Sequence, residues 1–269
     1  MGMAFADVLV AESDATITLV DRYHRPGGHW NVAYPFVRLH QPSSFYGVNS
    51  RVLGNNTIDQ VGYNKGLYEL ASGAEVLTYF DQVMQQYFLP SGRVQYFPMS
   101  EYVGDGVIKS LVTSEHRTVD VTLKIVDATY MNVSVPAMRP PPFPVADGMR
   151  CVPVNGLVNI DQVNAGFVVI GAGKTGMDAC SWLLQNQVDP DTITWIKPRD
   201  SWLLNRANLQ PENMTEELAS RQTDTDGRTM VDAESVADLF DILENTGHLL
   251  RIDPTVPPHN VSLCYCDRS

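Results

Sequence analysis

The sequence predicts an α/β fold with two three-layer domains, the first of them incomplete, and with an antiparallel β-meander. Three observations lead to this prediction. A short apolar strand runs into a glycine-rich turn and a helix over residues 167–184, and residues 2–21 repeat the second half of that pattern. Short apolar strands also occupy much of residues 94–126. Apolar, β-branched runs are typical of buried parallel strands, which need a helical crossover between them.

The glycine-rich turn has the spacing of a dinucleotide-binding loop. Phe167–Ile170 is short, apolar and β-branched, and residues 177–184 have the composition of a helix. Between them, Gly171, Gly173 and Gly176 follow the G-x-G-x-x-G pattern. The first glycine makes a tight turn, the second lets the backbone approach a pyrophosphate, and the third lets the helix pack against the strand. Because strand, loop and helix occur in the required order, the sequence predicts a Rossmann-like domain here.

The opening residues resemble the second half of the same unit. Gly2 corresponds to Gly176, and "ATITLVDR" at 15–22 corresponds to "DTITWIKPR" at 191–199. We therefore expect two copies of one βαβ pattern, the first of which begins at its last glycine, without its first strand and its G-x-G. The alternative interpretation of the opening is an amphipathic surface helix.

Composition restricts the possible partners. A net charge of −12 argues against nucleic acid, and no apolar run reaches the length of about 20 residues that crosses a bilayer. The four cysteines form no C-x-x-C pair, so neither a dithiol redox centre nor a metal site is indicated. These features predict a protein of the reducing cytoplasm.

The chain divides into two predicted domains joined by a proline-rich linker. We predict an FAD-binding domain at 1–135, the linker at 136–145, and an NAD(P)-binding domain with a helical insertion at 146–269. The proline content of the linker is incompatible with a helix or a central strand. Further predicted strands form the meander and lie near Val94–Phe97, Val107–Thr113 and Val119–Val126, with "SEHR" joining the last two. Further predicted helices cover 74–88, 211–221 and 230–247.

The two units differ in the charge that follows their second strand, where a dinucleotide fold meets the adenosine ribose. Asp21 ends the strand of the first unit, and an acid accepts hydrogen bonds from free ribose hydroxyls. Lys197 and Arg199 end that of the second, and cations there neutralise a 2′-phosphate. The first unit therefore suits FAD or NAD, and the second suits NADPH. The alternative is that Lys197 and Arg199 are solvated loop charges.

Across about residues 1–206 the chain resembles the flavin-containing and Baeyer–Villiger-type monooxygenases. In that family an acid after the first unit's second strand is followed by a G-G-x-W loop, here Gly27-Gly28-His29-Trp30. The segment "YPFVRLHQPSSFY" at 34–46 is similar to a family segment, Y-P-G-x-R-x-D-x-P-S-x-x-Y. The resemblance implies that FAD is bound by residues of the first unit: Gly2, Asp21, Arg22, Gly27, Gly28, Trp30 and Tyr46. Arg38 would contact the flavin or the nicotinamide phosphate, or else it pairs with a surface acid.

Three positions depart from the family pattern. Phe36 and Tyr130 stand where the family has glycine, and His40 stands where Baeyer–Villiger enzymes carry an aspartate. Their F-x-G-x-x-x-H-x-x-x-W fingerprint is also missing around residues 154–164. A flavin monooxygenase-like activity is therefore predicted in preference to ketone oxygenation. His40 is the candidate catalytic residue, as a donor to the oxygenated flavin or a group that tunes it, or else a structural loop histidine.

The resemblance implies an FAD- and NADPH-dependent oxidoreductase. NADPH would reduce the flavin, and the reduced flavin would react with O₂ to oxygenate a small organic substrate. Two alternatives stay open at this point. The chain is a nucleotide-binding remnant without stable FAD or turnover, or it is a flavin reductase that does not oxygenate.

Overall fold

The computed structural model shows a mixed α/β protein with several small sheets. It describes residues 1–129, 139–198, 201–211, 226–253 and 255, together with the backbone of 260–266. The chain forms two compact units. Unit 1 comprises residues 1–35, 46–55 and 71–151, and unit 2 comprises residues 36–45, 56–70 and 152–269.

Unit 1 begins with helix α1 (Gly2–Glu12) and strand β1 (Ile17–Val20), as predicted. Strand β4 (Val94–Phe97) pairs with β1 in parallel, so that Ile17 lies opposite Val94. The guanidinium of Arg93, just before β4, donates hydrogen bonds to two carbonyl oxygens at the end of α1. A cation at the C-terminus of a helix offsets the negative end of its dipole. The contact therefore joins the helix to the strand pair.

A short hairpin is held to α1 by a buried acid. Strands β2 (Gly47–Val48) and β3 (Arg51–Val52) pair antiparallel, and Ser50 lies in the turn between them. The carboxylate of Asp7, which is 1% exposed, accepts hydrogen bonds from both the backbone N–H and the hydroxyl of Ser50. A buried charge is tolerated when it is hydrogen-bonded in this way.

Helix α2 (Gly73–Val83) supplies the core of unit 1. Ser72 caps its start, because the Ser72 hydroxyl accepts from the N–H of Glu75 while the Glu75 carboxylate accepts from the N–H of Ser72. The helix continues as a π-helical turn over Met84–Phe88. The predicted helix at 74–88 is thus confirmed, and the buried residues Val76, Val83, Met84 and Phe88 are inaccessible to solvent.

The predicted antiparallel meander is present, but only one of its three predicted strands, Val107–Thr113, contributes to it. It consists of β5 (Ser100–Gly104), β6 (Val107–Ser110) and β7 (His116–Thr118), in that order. Val94–Phe97 belongs to the parallel pair instead, and residues 119–126 form no strand. The reason lies in the pairing of β6 with β7, which begins within the predicted "SEHR" connection. After it the N–H of Val119 bonds to Gly106, and the apolar residues that follow are exposed.

Unit 2 contains a second parallel pair, formed by β8 (Phe167–Ile170) and β9 (Ile193–Ile196) and joined by helix α3 (Lys174–Gln185). A three-stranded sheet follows, in which β10 lies between β11 and β12. Its strands are β10 (Ser201–Asn205), β11 (Leu249–Leu250) and β12 (Asn260–Cys266). Helix α4 (Val236–Asn245) packs against β11.

Two predicted helices of the insertion have different outcomes. The predicted helix 230–247 is divided into a 3₁₀ turn, Met230–Asp232, and α4. Ser235 caps α4 by accepting from the N–H of Asp238, so a new helix begins there. The predicted helix 211–221 lies, apart from its first residue, outside the described residues.

The two units divide near the predicted linker, at residues 151 and 152, and residues 139–145 form no helix or strand. Residues 36–45 and 56–70, however, belong to unit 2 rather than to the first domain. Internal contacts of unit 2 explain this difference. The ring of Phe36 stacks on Trp182 at 5.3 Å between centroids, and the N–H of Tyr68 donates to the amide oxygen of Gln210 at 2.9 Å.

The buried Asp7 is expected to stabilise unit 1. Asp7→Ala removes the acceptor of two hydrogen bonds and leaves the backbone N–H of Ser50 without this partner, so the free energy of unfolding should fall by about 2 kcal/mol. Urea denaturation measures the change. Asp14→Ala, at an exposed loop position, is the matched control and should change stability by less than about 0.5 kcal/mol. Equal effects of the two substitutions would contradict the assignment.

Candidate functional site

The predicted glycine loop of unit 2 joins two parallel strands through α3. Residues 167–170 of β8 pair in register with residues 193–196 of β9. Gly171 then turns the chain with a φ of +132°, which side-chain-bearing residues rarely adopt, and its N–H donates to Ile196 at 3.0 Å. The first glycine of the pattern therefore has a conformational reason to be glycine.

The other two glycines serve different purposes. A Cβ at Gly176 would lie 2.3 Å from the carbonyl oxygen of Gly171, so a side chain there would push α3 away from β8. At Gly173, which caps α3, a Cβ would meet nothing within 4 Å. Gly173 also has no side chain to accept hydrogen bonds from the first-turn amides. The helix start is therefore open on the side where the pattern predicts a pyrophosphate.

Trp195 is a residue of this loop that the sequence analysis did not identify. Its indole N–H donates to the carbonyl oxygen of Gly171 at 2.7 Å. The ammonium of Lys197 lies 5.4 Å from the centroid of the same indole ring, within the range of a cation–π interaction. The sequence feature that could have identified Trp195 is its position two residues before Lys197. Arg199, the other predicted phosphate contact, lies outside the described residues.

His40 lies in unit 2 beside the start of α3. Burial lowers its pKa, and so do the nearby cations Lys174 and Arg206, while Asp178 acts in the opposite direction. The histidine is therefore neutral near pH 7. Lys174 and Asp178 form an ion pair one turn apart on α3. This pair was also missed, although a Lys and an Asp at i and i+4, on either side of Gly176, were visible in the sequence.

Arg38, a predicted cofactor contact, has a structural role in unit 2. Its guanidinium donates to the carbonyl oxygen of Leu70 at 2.8 Å, and Ser43 donates to the carbonyl oxygen of Glu69 at 2.9 Å. Both bonds tie the 36–45 segment to the 56–70 segment. The family-like segment is therefore held within unit 2 by its own side chains.

In unit 1, Asp21 follows β1 as predicted and is half-buried. Its carboxylate accepts from the N–H of Tyr23 at 2.9 Å and faces the hydroxyl of Tyr96 at 3.5 Å. Burial raises the pKa of Asp21, partly opposed by the bonds from Tyr23 and Tyr96. Burial and the neighbouring acid raise the pKa of Tyr96. Arg22, the next residue, is exposed.

The G-G-x-W loop of unit 1 is tightly packed at one glycine and open at the other. A Cβ at Gly27 would lie 2.5 Å from the side chain of Leu77, whereas one at Gly28 would meet nothing within 4 Å. Trp30 is buried, and its indole N–H donates to the hydroxyl of Tyr46 at 2.7 Å. The structure thus brings Trp30 and Tyr46 together as a bonded pair.

Gly2, the remaining predicted contact, begins α1. A Cβ there would lie 3.1 Å from that of Ala128, so its small size permits a close approach of the 127–129 turn. In that turn the carboxylate of Asp127 accepts from the N–H and the hydroxyl of Thr129. Tyr130 lies outside the described residues.

Neither a metal-binding cluster nor a membrane-spanning helix is found in the described part of the chain. No group of three or more His, Cys, Asp and Glu side chains there is arranged to hold a metal ion. Among the described helices, none combines the length and apolar character needed to cross a membrane.

The chain is similar in sequence to uncharacterized mycobacterial proteins. Over 258 residues the chain is 55% identical to the uncharacterized protein Rv2000 of Mycobacterium tuberculosis strain H37Rv. The same identity relates it to uncharacterized protein MT2056 of Mycobacterium tuberculosis strain CDC 1551 and to uncharacterized protein Mb2023 of Mycobacterium bovis. The alignment covers 96% of this chain and 48% of each relative, so the chain spans about half the length of the curated relatives it matches. No family model and no solved structure matches.

The lowered pKa of His40 predicts a pH dependence of stability. Because the unfolded state binds its proton more readily, this contribution is present above the ordinary value of 6.5 and is lost as the pH falls below it. Between about pH 7.5 and about pH 5, the wild-type protein should lose more stability than His40→Gln. Urea denaturation across this range measures both slopes. Parallel slopes would show that folding does not shift the titration of His40.

Proposed function

We propose that the chain is the nucleotide-binding part of an FAD- and NADPH-dependent oxidoreductase of flavin monooxygenase-like type, with Rossmann-like units. The observation that carries the proposal is the β8–α3–β9 arrangement of unit 2. A dinucleotide site consists of parallel strands, a glycine turn and a helix with an unobstructed first turn, and all three are present here. A cytoplasmic setting, which the cysteine pattern favours, belongs to the same proposal.

The residues of unit 2 fit NADPH. Gly173 leaves space in front of the first-turn amides of α3, and this is where backbone N–H groups would hold the pyrophosphate. Lys174 adds a positive charge at the same place. Lys197, positioned over Trp195, would hold the 2′-phosphate that distinguishes NADPH from NADH. An acid in that position, such as Asp21 in unit 1, would repel it.

The residues of unit 1 fit FAD on the ribose side. Asp21 follows the second strand of the pattern, and Gly28 leaves open space in the loop that the family places against the flavin. When bound, FAD would accept hydride from NADPH and pass electrons to O₂.

This chain's own side chains would act by orientation and by charge. His40 is neutral near pH 7 and lies close to Lys174, so it can accept or donate a hydrogen bond without adding positive charge at the start of α3. The ion pair between Lys174 and Asp178 holds the ammonium in place. We assign His40 as a positioning residue of the nucleotide site. The catalytic role that the family resemblance suggests would require a flavin beside it.

A second candidate function is nucleotide binding without flavin. The observation that favours it is the state of Asp21, whose carboxylate is already hydrogen-bonded by Tyr23 and faces Tyr96. A carboxylate that already accepts hydrogen bonds within the protein has less capacity left to accept them from ribose hydroxyls. Purified protein that binds NADPH but is colourless after incubation with FAD and removal of the unbound flavin would support this candidate. A third candidate, a flavin reductase, would bind FAD and oxidise NADPH without oxygenating.

Nucleotide binding can be divided into a loop contribution and a charge contribution. Gly173→Ala should weaken NADPH and NADH alike, by about tenfold or more, because its Cβ would occupy the space of the pyrophosphate. Lys197→Ala combined with Arg199→Ala should weaken NADPH alone, by about 1.5–3 kcal/mol for each charge-assisted contact. Calorimetric titration of each variant with both nucleotides gives the four affinities.

Two controls separate these effects from general damage. Ser235→Ala removes the cap of α4, so it tests the loss of a helix cap away from the loop. Lys124→Ala removes an exposed positive charge from unit 1. Neither should change nucleotide affinity. An unchanged NADPH/NADH ratio in the double variant would refute the assignment of the 2′-phosphate site.

Turnover tests the flavoprotein part of the proposal. After incubation with FAD and removal of the unbound flavin, the purified protein should stay yellow and oxidise NADPH in air, yet it should not convert cyclic ketones to lactones. The last expectation follows from the missing Baeyer–Villiger fingerprint and from His40 in place of an aspartate. Because His40 is neutral and an aspartate would be anionic, the field at the reacting group would differ. NADPH consumption and product analysis on a ketone panel measure both expectations.

Either of two results would contradict part of the proposed flavoprotein function. Efficient lactone formation would overturn the exclusion of ketone oxygenation. Bound FAD without any NADPH oxidation would overturn the proposed enzyme class, whereas the nucleotide titrations would still stand on their own.

A further inference from the structure

Trp195 lies between the glycine turn of unit 2 and the cation that follows β9. It is opposite Val169 across the parallel strands, and Val169 precedes Gly171 by two residues. Side chains alternate between the two faces of a strand, so Trp195 and Lys197 share the partly covered face, whereas Thr194 lies on the exposed one. One aromatic side chain therefore reaches both the turn and the charge.

The indole N–H of Trp195 fixes the turn. Both backbone groups of Gly171 are bonded to β9: its N–H donates to the carbonyl oxygen of Ile196 at 3.0 Å, and its carbonyl oxygen accepts from the indole at 2.7 Å. The helix passes close to the same place, since a Cβ at Gly176 would lie 3.4 Å from the indole nitrogen. The indole bond thus sets the direction of the carbonyl group against which the helix packs.

The face of the same indole ring positions the charge. The ammonium of Lys197 lies 5.4 Å from the ring centroid, and tryptophan is the aromatic side chain that attracts a cation most strongly. A lysine ammonium sits on a flexible four-carbon stem, so without such a contact it samples many positions. Holding it near one position reduces the ordering that phosphate binding would otherwise require.

We propose that Trp195 is a positioning residue of the NADPH site and that its two contacts have separable effects. The indole N–H shapes the pyrophosphate turn for either dinucleotide. The ring face holds Lys197 for the 2′-phosphate and so contributes to the preference for NADPH over NADH. The assignment rests on the proposed NADPH site, and it adds a determinant of specificity that acts through another residue.

Two substitutions remove one contact each. Trp195→Phe keeps an aromatic face but has no donor, so NADPH and NADH should both bind about fivefold more weakly at an unchanged affinity ratio. Trp195→Gln keeps an N–H donor but has no ring, so the NADPH/NADH affinity ratio should fall about fivefold. Thr194→Val, on the exposed face of the same strand, is the control and should change neither quantity. Calorimetric titration of the whole chain with each nucleotide gives the affinities.

The affinity ratio separates positioning from general damage, because partial unfolding would weaken both nucleotides together. A double-mutant cycle then tests whether the ring acts through the lysine. Trp195→Gln combined with Lys197→Ala should lower the ratio no further than Lys197→Ala alone. Additive effects on the ratio, or an equal fall of the ratio in Trp195→Phe and Trp195→Gln, would overturn the division of roles.

A measurement on the wild-type protein keeps the inference testable if a variant does not fold. In NMR spectra the indole N–H of Trp195 should exchange slowly with solvent, and adenosine 2′-phosphate should shift the indole signals more than adenosine 5′-phosphate does. Fast exchange, equal shifts or an unchanged ratio in Trp195→Gln would overturn this inference alone. Wild-type protein that binds neither dinucleotide would overturn the proposed function together with it.

Discussion

The carbonyl oxygen of Gly171 joins β8, α3 and β9 at one point. Gly176 approaches it so closely that a Cβ would lie at 2.3 Å, and the indole of Trp195 donates to it from β9. An ordinary contact of a Cβ begins at about 3.4 Å, so any side chain at 176 would move the helix outward by about 1 Å. The position of the helix start, and with it Gly173 and Lys174, depends on this single approach.

Charge around the helix start is balanced by burial and pairing. A lysine in the first turn is unfavourable because it adds to the positive end of the helix dipole. Asp178 compensates by pairing with Lys174, and His40 avoids a further positive charge by staying neutral. The buried Arg206 contributes to the same positive potential. Together these groups leave a net positive charge at the start of α3, where an anionic group would be bound. The neutral His40 adds no further positive charge there.

Part of this arrangement was predictable from sequence. The G-x-G-x-x-G spacing, the apolar run at 167–170 and the matching strand at 193–196 are local signals, and local signals are preserved in the fold. The features that the sequence did not predict also have physical reasons. The run at 167–170 is typical of a strand covered on both faces, yet Val168 and Ile170 are 61% and 50% exposed. The alternation at 119–126 predicts a strand, but a strand also needs a partner, and β6 is already paired with His116–Thr118.

The surroundings of the site residues could not be predicted from the sequence, because they depend on contacts between residues far apart in the chain. Nothing near residue 40 indicates that it lies beside Lys174, more than a hundred residues away. Sequence patterns identify which residue types have the chemistry, and tertiary packing decides which of them meet.

Asp21 and Lys197 differ in their burial and hydrogen bonding as well as in the sign of their charge. Asp21 is half-buried and hydrogen-bonded within unit 1, so part of its capacity to accept is already used. Lys197 is held over Trp195, and a cation that is positioned but still partly solvated keeps most of its attraction for a phosphate. The same indole bonds Gly171. Trp195 therefore couples the turn that would cradle the pyrophosphate to the charge that would select a 2′-phosphate, so the shape and the specificity of this edge depend on one side chain.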